Sequence, residues 1–170
     1  MSTTATATKA KSEEQLGGLY LTFRMGAEQY GIEILRVQEI IQMMMITPIP
    51  RTPSFVKGVV NLRGKVIPVI DLRMKFNLPT AASTEQNCII VVDLEDLHMG
   101  VVIDSVSDVV NFPADKIDQV PSFGINLDTE FIRGIGKAED VVTILLDIHA
   151  VITSDEKSVL NTMLAGPQES

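Results

Sequence analysis

The stretch FVKGVVNLRGKVIPVIDL, residues 55–72, returns later in the chain as FIRGIGKAEDVVTILLDI, residues 131–148. Both copies begin with Phe, an aliphatic residue, a basic residue and Gly, and both pass through a turn into an aliphatic strand that ends at Asp. The spacing from the Phe to that Asp is the same in the two copies. Aliphatic runs on either side of a turn predict paired strands, so the chain contains a duplicated β unit.

The segment before each copy is duplicated as well. Residues 21–41 (LTFRMGAEQYGIEILRVQEII) align with the segment 69 positions later (IVVDLEDLHMGVVIDSVSDVV), which places Gly31 on Gly100. The two copies of the quoted stretch align 76 positions apart, and the seven extra residues fall in the connection at 111–130. Because connections tolerate insertions and strands do not, this placement supports a duplication. It predicts a mostly β protein built from two similar small barrels or sandwiches.

The same patterns predict the organisation of the chain. Polar residues without an apolar face predict a flexible tail, and Thr153 followed by Glu156 is the signature of a helix N-terminus. The expected segments are a tail at 1–16, a domain at 17–165, a first β half at about 19–76, a linker at 77–87, a second β half at about 88–150 and a helix at 154–165.

Two irregularities interrupt the first β half. Apolar residues alternate up to Ile34 and then shift phase at Val37 and Ile40, which predicts a bulge or a sharp bend. The run Met43–Met45 follows, and we interpret it as filler for the core at a strand end rather than as a partner-binding surface.

Composition excludes several functional classes. The chain has 170 residues, is 45% hydrophobic and carries a net charge of −8, so a nucleic-acid partner is disfavoured. Its one cysteine, Cys88, excludes a disulfide framework and suits a reducing cytoplasm. The polar N-terminus is unlike a secretory signal, and no apolar run approaches the length of a membrane span.

Catalytic patterns are weak. His98 and His149 have no metal-ligand spacing, and no Gly-x-Ser-x-Gly elbow is present. Asp71 and Asp147 raise the question of acid–base chemistry, but they occupy equivalent repeat positions at strand ends. Such symmetry favours a structural role, for example capping of a following turn.

The turns of the two copies differ completely. The first reads Asn61-Leu62-Arg63-Gly64 and the second reads Lys137-Ala138-Glu139-Asp140. A shared scaffold makes the same backbone demand on both, so the difference points to function. Arg63 offers five donors in a rigid fork, and Glu39 is its candidate partner within the chain. The alternative is a solvated turn residue whose exposed ion pair contributes about 0–1 kcal/mol, and both interpretations remain open.

The stretches YGIEILRVQEI, FVKGVVNLRGKVIPVIDLR, GVVIDSVSDVV and EFIRGIGK together resemble the CheW family of bacterial chemotaxis coupling proteins. The resemblance runs from about Leu19 to Leu164. It implies two SH3-like five-stranded β-barrels with a C-terminal helix, and an adaptor without catalytic residues, cofactor or metal. Implied partners are the regulatory domain of the histidine kinase CheA, the cytoplasmic tips of methyl-accepting chemoreceptors, and further CheW copies in rings. The expected location is the cytoplasm, with recruitment to receptor arrays and no membrane insertion.

The resemblance also implies which residues meet the receptor, in a groove between the barrels. Arg63 and Glu39 would fix register at the groove edge. The chain departs from the family pattern at the segment that contains Met43–Met45, and our hypothesis is that this run tunes partner choice among receptor classes. The residues implied in the contact or its support are Val37, Glu39, Gly58, Val60, Asn61, Arg63, Val106 and Val109.

Three alternatives stay open beside the adaptor. The first is a CheW-like regulatory module of a kinase pathway outside chemotaxis. The second is an enzyme that uses Asp71, Asp147 or Glu39, which would need a cleft with perturbed carboxylates. The third is a β-barrel that binds a small ligand in an enclosed cavity.

Overall fold

A computed structural model describes residues 17–76, 78, 87–95, 97–118, 131–138 and 140–165. The tail expected at 1–16 and nearly all of the linker expected at 77–87 lie outside these ranges. None of the helices in the described ranges is long and apolar enough to cross a membrane.

The fold is mostly β, as the sequence predicts. The strands are β1 (Gly18–Met25), β2 (Glu28–Glu33), β3 (Val37–Gln42), β4 (Val56–Leu62), β5 (Lys65–Asp71), β6 (Cys88–Asp93), β7 (His98–Ile103), β8 (Ser105–Phe112), β9 (Ile117–Asp118), β10 (Ile132–Ala138) and β11 (Val141–Leu146). The helices are α1 (Leu72–Lys75), α2 (Ile148–Val151) and α3 (Ser154–Ala165).

The strands form two sheets, and each sheet takes strands from both repeats. The six-stranded sheet has the order β8-β1-β2-β11-β10-β9, and the five-stranded sheet has the order β3-β6-β7-β5-β4. The first two strands of each repeat therefore pair with the later strands of the other repeat. Parallel pairs join the repeats where β2 meets β11 and where β5 meets β7.

This exchange corrects the expected division into barrels at about 19–76 and 88–150. Those ranges are the duplicated units, but neither one builds a sheet by itself. The reason lies at the predicted bend, where a 3₁₀ turn at Ile34–Arg36 ends β2 and sends β3 to pair with β6. Periodicity along a chain identifies strands, whereas it does not say which partner a strand takes.

Each sheet curls back on itself through the segment that follows an edge strand. After β3 the chain reaches β4 on the opposite edge, where the backbones of Thr47 and Val59 exchange hydrogen bonds of 2.8 and 2.9 Å. In the other sheet, β9 follows β8 and pairs with β10. This curling is consistent with the SH3-like fold that the family resemblance implies.

One hydrophobic core lies between the two sheets, and each curled sheet encloses a smaller core of its own. The shared core contains residues of both sheets, such as Phe23, Ile90 and Leu146. The five-stranded sheet encloses Val60, Ile67, Val69, Ile89 and Val91, and the six-stranded sheet encloses Tyr20, Phe112 and Leu145. Because the main core belongs to both sheets, the two sheets pack as one domain.

The two repeated aspartates cap helices, which confirms their structural interpretation. Oδ1 of Asp71 accepts a hydrogen bond of 2.9 Å from the backbone of Arg73 at the start of α1, and Oδ1 of Asp147 accepts one of 3.1 Å from His149 in α2. Their own backbone N–H groups donate to Phe55 and Phe131. Each of these backbone hydrogen bonds joins the start of one strand to the end of the next, which explains why the two quoted stretches share the same Phe-to-Asp spacing.

The capping signature before α3 is also confirmed. The hydroxyl of Thr153 accepts from the backbone of Glu156 at 3.1 Å, and Oε1 of Glu156 accepts from the backbone of Thr153 at 2.9 Å. Glu156 also pairs with Lys75, whose Nζ lies 4.4 Å from the centre of the Phe55 ring. This set ties the helix to the body, with Leu160 buried beneath it.

The three methionines of the run Met43–Met45 differ in burial. Met44 packs against the core of the five-stranded sheet, as the interpretation as filler requires. Met45 is 85% exposed and Met43 is 36% exposed, so that interpretation is wrong for Met45.

Candidate functional site

The turn between β4 and β5 is a tight two-residue loop. Arg63 and Gly64 have φ values of 54° and 87°, the left-handed pair typical of a type I′ hairpin. Oδ1 of Asn61 supports the loop by accepting a hydrogen bond of 2.9 Å from the backbone of Gly64. Gly adopts this conformation freely, whereas Arg pays roughly 1 kcal/mol for it. A residue that is costly for the fold therefore occupies the first turn position, which favours a role for its side chain.

The Arg63 side chain pairs with Glu39, which confirms the partner expected from the sequence. Glu39 lies on β3, at one end of the strand order, and the turn extends from β4 at the other end. The Arg63 side chain is 68% exposed and that of Glu39 is 29% exposed. Such an exposed pair contributes at most about 1 kcal/mol to stability. Because most of the Arg63 side chain is exposed, its guanidinium remains accessible to a partner.

The pair stands beside an open hollow of about 210 Å³ at the end of the five-stranded sheet, which we call the rim hollow. Its floor is formed by Ile67 and Val91, which belong to the core that fills this sheet. The residues that line it are Gln38, Glu39, Leu62, Arg63, Lys65, Ile67, Val91 and His98. Because buried aliphatic side chains fill the sheet below the floor, the enclosed cavity that a small-ligand barrel needs is not found here.

Val37 and Val106 occupy equivalent positions beside equivalent bulges. The register of β3 shifts between Val37 and Glu39, and that of β8 shifts where Val106 pairs with Phe23. Both valines are partly buried against the shared core. A bulge changes the direction of the side chains that follow it. The two valines lie just before the bulges, at the margin of the core between the sheets.

Ile40 and Val109 form a second equivalent pair, and both are exposed. Ile40 is 43% exposed and pairs with the core residue Ile90, while Val109 is 45% exposed and pairs with the core residue Leu21. Sequence reasoning named Val109 and missed Ile40. The signal was present, since Ile40 stands 69 positions before Val109 in the repeat alignment.

Gly58 and Val60 are buried and cannot touch a partner directly. A Cβ on Gly58 would lie 2.1 Å from the carbonyl oxygen of Thr47, so this glycine permits the backbone contact that curls the sheet. Val60 belongs to the core of the same sheet. They lie below the site, whereas Glu39 and Arg63 pair at its surface and Asn61 braces the turn that carries Arg63. Val106 and Val109 lie on the edge strand of the other sheet and do not line the rim hollow.

Groups suited to covalent or metal chemistry are not assembled in the described ranges. No cluster of three or more His, Cys, Asp or Glu side chains that could hold a metal ion occurs there. Burial raises the pKa of the half-buried Cys88 thiol, which makes it a poor nucleophile at neutral pH. Asp71 and Asp147 are engaged as helix caps. The exposed rim combines a charged edge with an apolar floor.

The chain is thus a β protein of two interlocked sheets with an exposed rim hollow. Among known families, the model of the CheW-like domain matches residues 19–156. The chain belongs to the CheW-like domain family.

Individual relatives cover most of the chain. It is 39% identical to the chemotaxis protein CheW of Klebsiella aerogenes over 150 residues, which is 88% of this chain and 90% of that protein. It is 31% identical to the chemotaxis protein CheW of Bacillus subtilis, with 85% and 92% covered. Among solved structures, the crystal structure of the scaffolding protein TtCheW from Thermoanaerobacter tengcongensis matches with a TM-score of 0.75 and 32% identity, covering 82% of this chain and 95% of that one.

Proposed function

We propose that this chain is a non-catalytic adaptor that couples the cytoplasmic tips of methyl-accepting chemoreceptors to the histidine kinase CheA. It acts in the cytoplasm and is recruited to receptor arrays through these partners. Membership of a family whose members are named as chemotaxis and scaffolding proteins supports this role. The observation that carries it is the exposed Arg63 in a strained turn, paired with Glu39 above an apolar floor.

The receptor contact uses two kinds of residue. Arg63 and Glu39 provide charged, directional groups that favour specificity over raw affinity. Val37, Ile40, Val106 and Val109 provide apolar surface at the margins of the shared core. An amphipathic helix of the receptor tip would cover such apolar surface while its polar side chains meet the charged pair.

The contact with CheA follows a different logic. The regulatory domain of the kinase is expected to share this fold, and pairing between two such domains, or between copies of this chain in rings, would use other faces. Weak individual contacts suffice in an array because many of them act together.

A reconstituted coupling assay tests the proposal. Receptor cytoplasmic fragment, CheA and this chain are mixed, and kinase activity and co-sedimentation are measured. We expect Arg63→Ala to lose receptor binding and coupling while the protein stays folded, and Arg63→Lys to recover part of the binding. No gain of kinase activity with the wild-type chain, or no complex with either partner, would overturn the proposed function.

Lys137→Ala is the matched control. Lys137 lies at the corresponding hairpin of the other sheet, is 51% exposed and forms its own ion pair with Asp118 at 2.9 Å. It therefore reproduces the loss of an exposed cation from a hairpin without touching the rim hollow. Arg133 is a poorer control, because its side chain is only 16% exposed and contacts Glu33 and Tyr20.

A further inference from the structure

Lys65 and His98 meet inside the rim hollow through a contact that neither residue's sequence context predicts. Nζ of Lys65 lies 2.7 Å from Nδ1 of His98, across the parallel pair of β5 and β7. A lysine ammonium donates hydrogen bonds and accepts none. Nδ1 of His98 is therefore the acceptor in this contact, and its Nε2 lies 3.6 Å from Oδ1 of Asp93. The imidazole fixes the ammonium without neutralising it.

The charges of the rim hollow do not cancel. The guanidinium of Arg63 is matched by the carboxylate of Glu39. Within the described ranges, Lys65 has no carboxylate at ion-pair distance, and its side chain is exposed. Among the residues that the structure describes, this chain of net charge −8 thus has a positioned ammonium without a carboxylate partner, next to the residues proposed to meet the receptor.

We propose that Lys65, positioned by His98, is a second charged anchor of the receptor contact and receives an acidic side chain from the helical receptor tip. The inference rests on the proposed function and names one chemical requirement of its partner. The occupant is a Glu or Asp whose neighbouring apolar side chain covers Leu62 and the floor residue Ile67. Lys65 adds a second exposed positive charge to the rim beside Arg63, so an acidic side chain of the partner can meet the ammonium while Arg63 keeps its own contact.

Binding measurements at two salt concentrations test this anchor. Purified receptor cytoplasmic fragment is titrated into the full chain at about 50 mM and about 300 mM salt. Lys65→Met should weaken binding about fivefold at the lower salt and less at the higher salt, as expected for an exposed ion pair. Lys65→Arg should retain binding and Lys65→Glu should lose more than Lys65→Met. Lys137→Met, which removes an exposed lysine from the other sheet, should change nothing.

His98 is a positioning residue, and its role is tested by coupling to Lys65. His98→Leu removes the acceptor and should weaken binding by part of the Lys65→Met effect, whereas His98→Asn keeps an oxygen acceptor near the position of Nδ1 and should restore it. The double variant Lys65→Met/His98→Leu should bind no more weakly than Lys65→Met alone. Independent, additive losses would overturn the positioning role.

The partner side supplies the remaining test. One of the Glu→Gln or Asp→Asn changes along the receptor tip should weaken binding to the wild-type chain. Against that receptor variant, Lys65→Met should cause no further loss of binding. If Arg63→Ala abolishes binding while Lys65→Met has no effect, this inference is wrong and the adaptor role stands. If the wild-type chain does not bind the fragment, both fail together.

Discussion

The guanidinium of Arg63 pairs with the carboxylate of Glu39 and thereby joins the β4–β5 turn to the strand at the opposite end of the five-stranded sheet. The Arg63 side chain is mostly exposed, so the contribution of the pair to stability is about 0–1 kcal/mol. The left-handed backbone of Arg63 costs roughly as much. The position therefore brings the fold almost no net gain, which supports the proposal that its side chain serves a partner.

This balance predicts that Arg63→Gly separates stability from function. Gly accepts the φ of 54° without strain, which offsets the lost ion pair. We expect the free energy of unfolding, measured by urea denaturation, to stay within about 1 kcal/mol of wild type. Receptor binding should be lost. A large loss of stability would show that the pair mainly holds the sheet together.

The glycines of the β4–β5 hairpin should respond very differently to alanine. A Cβ on Gly58 would clash with the Thr47 backbone at 2.1 Å, and its φ of 146° is unfavourable as well. Gly58→Ala should therefore cost at least about 3 kcal/mol of unfolding free energy. Gly64→Ala, where nothing lies within 4 Å of the added Cβ, should cost about 1 kcal/mol from backbone strain alone. Equal losses would contradict the closure of the sheet at Thr47.

Glu156 predicts an acid-sensitive contribution to stability. Burial alone would raise its pKa, but hydrogen bonds from Lys75 and Thr153 outweigh burial and hold the pKa below its ordinary value of 4.5. A lowered folded-state pKa means that the unfolded state binds protons more readily, so the contribution is full above pH 4.5 and lost as the pH falls through the lower folded value. Between about pH 6 and about pH 3.5, Glu156→Gln should therefore lose less stability than wild type. A parallel loss in both proteins would contradict the lowered pKa.

Removal of the cap provides a companion measurement on the same helix. Thr153→Ala removes the hydroxyl that accepts from the backbone of Glu156 and should cost about 1 kcal/mol at neutral pH. Thr153→Ser keeps the hydroxyl and serves as the control. An unchanged melting temperature for Thr153→Ala would show that packing of α3 makes the cap redundant.

Ile40 and Val109 should matter for binding more than for folding. Each is more than two-fifths exposed, so Ile40→Ala and Val109→Ala should each cost less than about 1 kcal/mol in stability. Each should weaken receptor binding about three- to fivefold, because the apolar contact area is lost. Val142→Ala is the control, since Val142 is 56% exposed on β11 and outside the proposed contact. Full binding by both variants would remove the apolar part of the proposed surface.

Local structure could be predicted from the sequence because it depends on residues close together in the chain. The turn at Arg63-Gly64, the caps at Asp71 and Thr153, and the bend after Ile34 all follow from spacing and residue type. The duplication also predicted that equivalent residues would have equivalent surroundings. Asp71 and Asp147 meet that expectation through matching helix caps.

Strand exchange could not be predicted, because β2 and β7 have similar patterns and each could pair with the last strand of its own repeat instead of that of the other. The choice depends on the shared core, to which residues of both repeats contribute. The contact of Lys65 with His98 follows from the same exchange, since it requires the parallel pairing of β5 with β7. The pairing of Arg63 with Glu39 could be anticipated because the turn asymmetry isolated a single unexplained cation.

Charge reversal at both ends of this ion pair tests the central claim most directly. Glu39→Arg and Arg63→Glu each place like charges together, and the double variant restores an ion pair with its direction reversed. If the pair serves the partner, the double variant should regain wild-type stability and still bind the receptor fragment no better than Arg63→Glu alone. Recovery of wild-type receptor binding by the double variant would contradict the account, because it would show that the pair only braces the sheet.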